Sequence, residues 1–291
     1  MTAFLSIRNL SATLGATRHR ILRSVSLDLN PGEVRGLVGE SGAGKSMIGK
    51  AILGILPQSV RVAEGEIWLD GVDLQKLSPR DRRRLIGATA ALIPQDPLTA
   101  LNPSRRIGPQ ITDRLVDILG WTRADAEARA RALLAEVQIP DPDRVLRSYP
   151  HELSGGMRQR VLIASAFAAE PKLIVADEPT TALDVTVQKQ ILKLIAGMQA
   201  RHGTALLFVT HDLGVVSKVC QKLSVLYAGM VVEDTSVADF FAAPRHPYSA
   251  ALLAATPKYT DPSAGLQPVP DTVIATVQAE VAAFDRGTAR G

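Results

Sequence analysis

Apolar and polar residues alternate along Phe4 to Leu10 and again along Ile21 to Leu29. A period of two predicts strands of a half-exposed antiparallel sheet. Asn30-Pro31-Gly32 is a turn signal, and Glu33 to Val38 reads as a short buried strand followed by a helix from Met47 to Leu56. Glu66 to Leu69 is another short strand, ended by Asp70-Gly71, so a small β-layer is expected beside the first helix. Ser78-Pro79 starts a short basic helix, Arg80 to Leu85, and Gly87 to Ile93 reads as a buried strand running into Pro94-Gln95-Asp96-Pro97. The texture then changes. Ile107 to Leu119 and Arg123 to Val137 have helical periodicity, with few strand signals as far as Tyr149, which predicts a helical subdomain from about Pro97 to Ser165. Strand signals return at Leu173 to Ala176 and Ala205 to Val209, with a helix from Val185 to about Arg201 between them. Such alternation predicts a parallel sheet covered by helices. Ser224 to Tyr227 and Met230 to Glu233 form a hairpin about Ala228-Gly229. From Asp271 to Arg286, Val273, Val277, Val281 and Phe284 share one helical face, suited to packing on its own domain or, less simply, on a partner.

One stretch adds chemistry to this α/β pattern. Gly39, Glu40, Ser41, Gly42, Ala43, Gly44, Lys45 and Ser46 fit the phosphate-loop pattern G-x-x-x-x-G-K-[ST] at every fixed position. A predicted strand precedes it and a predicted helix follows, as the motif requires. Glycines let backbone N–H groups turn inward around a phosphate, and the helix N-terminus adds partial positive charge. Lys45 is placed to reach the β- and γ-phosphates and Ser46 to ligate Mg2+. The fold class expected is therefore a P-loop NTPase core with a mainly parallel sheet, a flanking antiparallel β-layer and an inserted helical subdomain.

Composition narrows the setting. The 291 residues carry a formal net charge of +4, too mild to argue for nucleic acid, and the basic run Arg82-Arg83-Arg84 lacks the interleaved aromatics of a nucleic-acid surface. The single cysteine, Cys220, excludes a disulfide framework and reads as a small buried apolar residue in a reducing compartment. No signal-peptide run and no stretch near the ~20 apolar residues of a membrane span is present. A soluble or peripherally attached protein is expected, with any membrane role supplied through partners.

Three further segments suit a triphosphate. The apolar run Leu173 to Ala176 ends in Asp177 and Glu178. Asp177 can hold Mg2+, and Glu178 can position and deprotonate an attacking water. His211 follows the next strand, on the sheet edge where α/β proteins bind ligands, and can hydrogen-bond the γ-phosphate. Ser154, Gly155 and Gly156 precede a helical run from Met157 to Ala169, a second helix end that admits an anion. Two phosphate-binding ends for one nucleotide are explained economically by a dimer.

These residues resemble the ATP-binding subunits of ABC transporters over about Leu5 to Pro257. The motifs run in order: Walker A at Gly39–Ser46, the Q-loop at Gln95, the signature Leu153-Ser-Gly-Gly-Met, Walker B ending at Asp177-Glu178, the D-loop Ala182-Leu-Asp184 and the switch His211. The resemblance implies an ATPase domain over residues 1–257 and a C-terminal extension over 258–291. It also implies two subunits binding two ATP molecules head to tail, with Ser154 and Gly156 of one facing the γ-phosphate held by Lys45 of the other. Gln95 would then sense the γ-phosphate and Mg2+. Ile93 to Pro103, Tyr149 to Leu153 and Pro244 to Leu253 are similar to segments of the bacterial oligopeptide, dipeptide and nickel importers. That subfamily implies a second homologous or identical ATPase, two permeases, an extracytoplasmic solute-binding protein and the cytoplasmic side of a bacterial inner membrane.

The chain departs from the family in two places. Where many members stack adenine on an aromatic residue, Leu14 to Ile21 holds none. His19 or Arg20 can substitute, Arg20 by a cation–π contact; the alternative is that both are solvated loop residues. No cysteine follows Cys220, so the iron–sulfur cluster of some peptide-importer ATPases is not expected. An exporter ATPase is the runner-up, because the core motifs do not encode direction. A repair-type ATPase would need heptads or cysteines between Met47 and Glu152, and a module without turnover would have no use for Glu178 and His211. The solute itself is chosen by the permeases and the binding protein.

Overall fold

The computed structural model describes residues 3–15, 19–181, 183–256 and 268–288. The chain opens with β1 (Leu5–Leu14), β2 (His19–Leu29), β3 (Val34–Val38), α1 (Lys45–Ile52), β4 (Val60–Leu69) and β5 (Val72–Asp73). There follow α2 (Pro79–Thr89), β6 (Ala90–Ile93), α3 (Pro97–Ala100), α4 (Ile107–Asp117), α5 (Arg123–Glu136), α6 (Pro142–Arg147) and α7 (Gly155–Ala168). Then come β7 (Leu173–Asp177), α8 (Val185–His202), β8 (Ala205–Val209), α9 (Leu213–Val219), β9 (Lys222–Tyr227) and β10 (Met230–Ser236). Helices α10 (Val237–Ala242), α11 (Pro247–Ala254) and α12 (Asp271–Thr288) close the sequence. Contacts gather these elements into two compact units, Met1–Lys76 with Phe208–Gly291, and Leu77–Leu207.

The first unit holds the antiparallel sheet, in the order β2-β1-β4-β5. Leu5 stands opposite Leu29 of β2 and Leu69 of β4, and Ile7 opposite Leu27 and Ile67, so one face of each strand feeds a common core. The same unit pairs β3 with β9 in parallel, Gly36 beside Leu223, and β9 with β10 as an antiparallel hairpin. All five residues of β3 are buried. Arg35 is buried there too, paired with Glu33 and Asp234 and donating to the Ser224 hydroxyl. The C-terminal helices are fixed to this unit by polar contacts. Burial pushes the Glu233 carboxyl up, but the N–H groups of Arg245 and His246, which donate to it at 3.0 and 2.9 Å, outweigh this and hold it below the usual carboxylate range. His246 in turn meets Glu280 of α12 at 3.2 Å.

The second unit pairs β6 with β7 in parallel, from Ala90 beside Leu173 to Ile93 beside Ala176. Helix α7 packs against β6 and against α4 and α5. The periodic positions of α5 (Ala126, Ala130, Leu133 and Leu134) are its buried ones. Thr122 and Ser154 cap α5 and α7 by accepting the N–H groups of Asp125 and Met157.

Three expectations need correction. Gly87 to Thr89 belongs to α2, not to a strand, and only Ala90–Ile93 is extended. Ser78 caps this helix through the Asp81 N–H. Its far end is held by Arg114 of α4, whose guanidinium donates to the carbonyls of Gly87 and Ala90, both at 2.9 Å. Burial lowers the pKa of that guanidinium. Helix α1 stops at Ile52 rather than Leu56, because Gly54 (φ 66°) turns left-handed. Gly54 and Ile55 then donate to the carbonyls of Ala51 and Lys50, which satisfies the helix end. Finally, the alternative of solvated loop residues does not describe His19 and Arg20, which begin β2; residues 16–18 and the D-loop residue Ala182 lie outside the described residues.

Cys220 is buried against Gly36 and Val216, and burial pushes its thiol up to about 12. The native protein is expected to resist alkylation by iodoacetamide at pH 8 and to label fully in urea, read by mass spectrometry. Fast labelling of the native chain would contradict the burial.

Candidate functional site

The phosphate loop lies in the first unit, between β3 and α1. Its backbone requires glycine at two points. A Cβ on Gly39 (φ +148°) would stand 2.2 Å from the Leu226 carbonyl oxygen, and one on Gly44 (φ +98°) would stand 3.0 Å from Leu22 and 3.2 Å from the Ile21 carbonyl oxygen. A Cβ on Gly42 would meet nothing within 4 Å. The loop is thus pressed against protein at its two ends and open at its crest. Lys45, the first residue of α1, is 5% exposed. Its ammonium donates to the carbonyls of Gly39 and Glu40 at 2.8 and 2.9 Å. This curl ties its charge to the first two residues of the loop. Ser41 and Gly42 are exposed, and Ser46 sits half-buried in the first turn of α1.

A second turn supports the loop. Gly229 donates its N–H to the Ala43 carbonyl at 2.8 Å and accepts the Arg23 N–H at 2.8 Å. A Cβ there would lie 2.0 Å from the Ile21 carbonyl oxygen. Tyr248 of α11 is fully buried beside Tyr227. Burial first, and the Glu40 carboxylate second, push its hydroxyl above the ordinary tyrosine range. His211 is exposed just after β8, where the Thr210 N–H donates to the Leu37 carbonyl at 3.1 Å. His211 therefore follows a segment fastened to the strand that feeds the phosphate loop. Arg20 is not a solvated loop residue. Its guanidinium lies 5.6 Å from the centre of the Phe284 ring and 3.8 Å from the Asp285 carboxylate.

The second unit carries the carboxylates. Asp177 is the last residue of β7, and Glu178 follows in a left-handed conformation (φ 44°). Such a backbone costs a non-glycine residue about 1–3 kcal/mol and is common at functional sites. The Glu178 carboxylate accepts from Gln95 at 3.4 Å and from the Thr181 hydroxyl at 2.9 Å. The parallel pairing of β6 and β7 brings Gln95, two residues past β6, to the same sheet edge as Asp177 and Glu178. Ser154, Gly155 and Gly156 occupy a separate point, the N-terminus of α7, where Ser154 and Gly155 are exposed. A Cβ on Gly156 would lie 3.7 Å from Val187 of α8. Helix α7 is nevertheless tied to the carboxylate turn, since buried Gln159 donates to the Pro179 carbonyl at 2.8 Å.

Thr181, Gln159, Gly229 and Arg23 are contributors that sequence reasoning missed. The glycine was legible as a hairpin turn, but its role beneath the loop depends on a backbone contact across 186 positions, from Ala43 to Gly229. A cavity of about 380 Å³ lined by Arg106, Asp113, Arg123, Glu127 and Arg131 contains none of the motif residues.

These residues fit a nucleoside triphosphate: an open glycine crest, a lysine bonded back to the start of the loop, and a helix N-terminus behind. Ser46 in the first unit and Gln95 and Asp177 in the second each carry a side-chain oxygen, the ligand type that suits Mg2+. The sequence model of the ABC transporter family matches residues 22–181. This chain belongs to the ABC transporter family. As an ABC ATPase it is 49% identical over 253 residues to the Probable D,D-dipeptide transport ATP-binding protein DdpD of Escherichia coli K12, a match covering 87% of this chain and 77% of that relative. It is 44% identical over 273 residues to the Dipeptide transport ATP-binding protein DppD of the same organism, covering 93% and 84%. A solved dimeric post-hydrolysis state of the ATP-binding cassette MJ0796, bound to ADP and Pi, superposes with a TM-score of 0.71 at 25% identity, covering 80% of this ABC ATPase and 98% of that chain.

Gly39→Ala tests the loop geometry. With a Cβ forced towards the Leu226 carbonyl, ATP affinity is expected to fall at least about tenfold, roughly 1.4 kcal/mol, measured by isothermal titration. Parent-like affinity would show that the loop has slack that the contact distance denies.

Proposed function

We propose that this ABC ATPase binds and hydrolyses ATP to power a bacterial importer of peptides or a related small solute. The observation that carries the chemistry is the Glu178 carboxylate, held by Gln95 and Thr181 at the end of an apolar strand. The relatives, which are named for dipeptide transport, support a peptide solute, and the direction rests on the resemblance of Ile93 to Pro103, Tyr149 to Leu153 and Pro244 to Leu253 to segments of the importers.

In this reading Gly39 to Ser46 wraps the β- and γ-phosphates and Lys45 offsets their charge. Glu178 accepts a proton from the attacking water, and Gln95, bonded to Glu178, reports the state of the γ-phosphate to the helices that follow it. His211 donates to the γ-phosphate. Ser46, Gln95 and Asp177 are the residues that would hold Mg2+, which would supply positive charge to offset that of the triphosphate. Ser154, Gly155 and Gly156 at the start of α7 serve the γ-phosphate of a second ABC ATPase, identical or homologous. His19 or Arg20, at the start of β2, contacts the adenine. No helix among the described residues is long and apolar enough to cross a membrane; two permease subunits form the passage, with an extracytoplasmic solute-binding protein delivering the solute. The ATPase sits peripherally on the cytoplasmic side of the inner membrane.

Glu178→Gln keeps the side-chain shape but removes the base. Hydrolysis is expected to fall at least ~10²-fold while ATP binding stays, measured by phosphate release and by titration. Normal turnover would remove Glu178 from this role.

Leu98 marks the docking edge for the permease. In α3 it is 63% exposed, while Leu101 three residues on is 3% exposed and belongs to the core. Leu98→Asp is expected to leave melting and ATP binding of the isolated subunit intact and to abolish co-purification with the permease pair, because the contact would bury a carboxylate. Normal assembly and transport would move the docking edge elsewhere.

A further inference from the structure

We infer that α12 is a working part of the nucleotide site, with Asp285 as a positioning residue that holds the floor of the phosphate loop. This rests on the reading of Gly39–Ser46 as the ATP site.

The connection is a chain of named contacts within the first unit. The Asp285 carboxylate takes a bidentate pair from Arg23, Nε to Oδ1 at 3.0 Å and Nη2 to Oδ2 at 2.9 Å. The third arm of the same guanidinium, Nη1, donates to the Ala228 carbonyl at 2.6 Å. Ala228 stands in a left-handed conformation (φ 45°) and is followed by Gly229, whose N–H is bonded to Ala43 inside the loop. Arg23 also grips this turn through its backbone, which donates to the Gly229 carbonyl. A buried guanidinium with a bidentate carboxylate is a rigid coupling, and removing the carboxylate leaves an uncompensated charge at the turn.

A second arm reaches the adjoining strand. Arg20 also faces Asp285 and lies over Phe284, and its Nη1 is buried without a hydrogen-bond partner among the described residues. The next residue, Ile21, puts its carbonyl against both Gly44 and Gly229. One carboxylate on α12 thus braces both backbone segments on which the loop rests. The inner face of α12, centred on fully buried Val277, and the His246–Glu280 pair keep the helix in place.

The loop wraps the β-phosphate, which ATP and ADP share, so a loosened floor weakens the binding of both nucleotides. A contact to the γ-phosphate would discriminate between them. Isothermal titration of the full chain with Mg-ATP and Mg-ADP, together with steady-state hydrolysis, tests this. Asp285→Ala is expected to raise both dissociation constants by a similar factor of about five to ten, and to raise KM with kcat nearly unchanged. Asp285→Glu is expected to recover most of the affinity, and Arg23→Ala with Asp285→Ala together to cost little more than either alone. Should Asp285→Ala not fold, Asp285→Asn, which keeps the shape and loses the charge, carries the same expectation. Parent-like affinities in the folded variant, or a lowered melting temperature with unchanged dissociation constants, would overturn the inference. Lys45→Ala separates the two levels: if it too binds normally, the site reading itself fails, whereas its loss of binding beside a parent-like Asp285→Ala removes only the role of α12.

Discussion

The phosphate loop depends on a close approach of two backbones with no side chain between them. Gly39 lies on the Leu226 carbonyl, and Gly229 lies on the Ile21 carbonyl while donating to Ala43. Both contacts are closer than any Cβ permits. Strand β9, its turn into β10 and the start of β2 therefore act as a mould that fixes where the loop's N–H groups point. Lys45 completes the arrangement by bonding back to two carbonyls of the loop it follows. A cation held this way does not need to find its position when an anion arrives, which is how preorganised sites gain strength.

In the second unit the equivalent device is a strained turn. Glu178 keeps a left-handed backbone immediately after an apolar strand, and its carboxylate is held from two sides. The helix capped by Ser154 is linked to the next residue of the turn through Gln159. A change at the carboxylate turn has a direct covalent and hydrogen-bonded route to both Gln95 and α7. The exposed Leu98 follows Gln95 by three residues, so an event at the carboxylate and a surface suited to a partner are separated by one rigid proline-containing turn.

Arg23, Arg20 and Asp285 show how a C-terminal helix can be tied to a site formed near the N-terminus. The pairing crosses 262 positions. Self-packing of α12, the simpler of the two expectations, agrees with the burial of Val277 on the predicted apolar face. Upstream of Gly39, where no aromatic stands in the sequence, Arg20 lies over the Phe284 ring of α12.

The local patterns were decided by the sequence. The phosphate loop, the apolar strand ending in Asp177 and Glu178, the cap at Ser154 and the periods of α4, α5, α8 and α12 are all set by neighbours within a few residues, where steric and hydrogen-bonding rules act on short distances. Tertiary structure decided what those rules leave degenerate. Gly87 to Thr89 suits a helix or a buried strand, and Arg114 of another helix settles it by holding the helix-end carbonyls. Leu98 and Leu101 are the same residue type three positions apart, and only packing makes one surface and the other core. Arg20 and Arg23 carry no local sign of a partner, because an ion pair costs little to form in sequence space and depends wholly on which distant carboxylate the fold brings within reach.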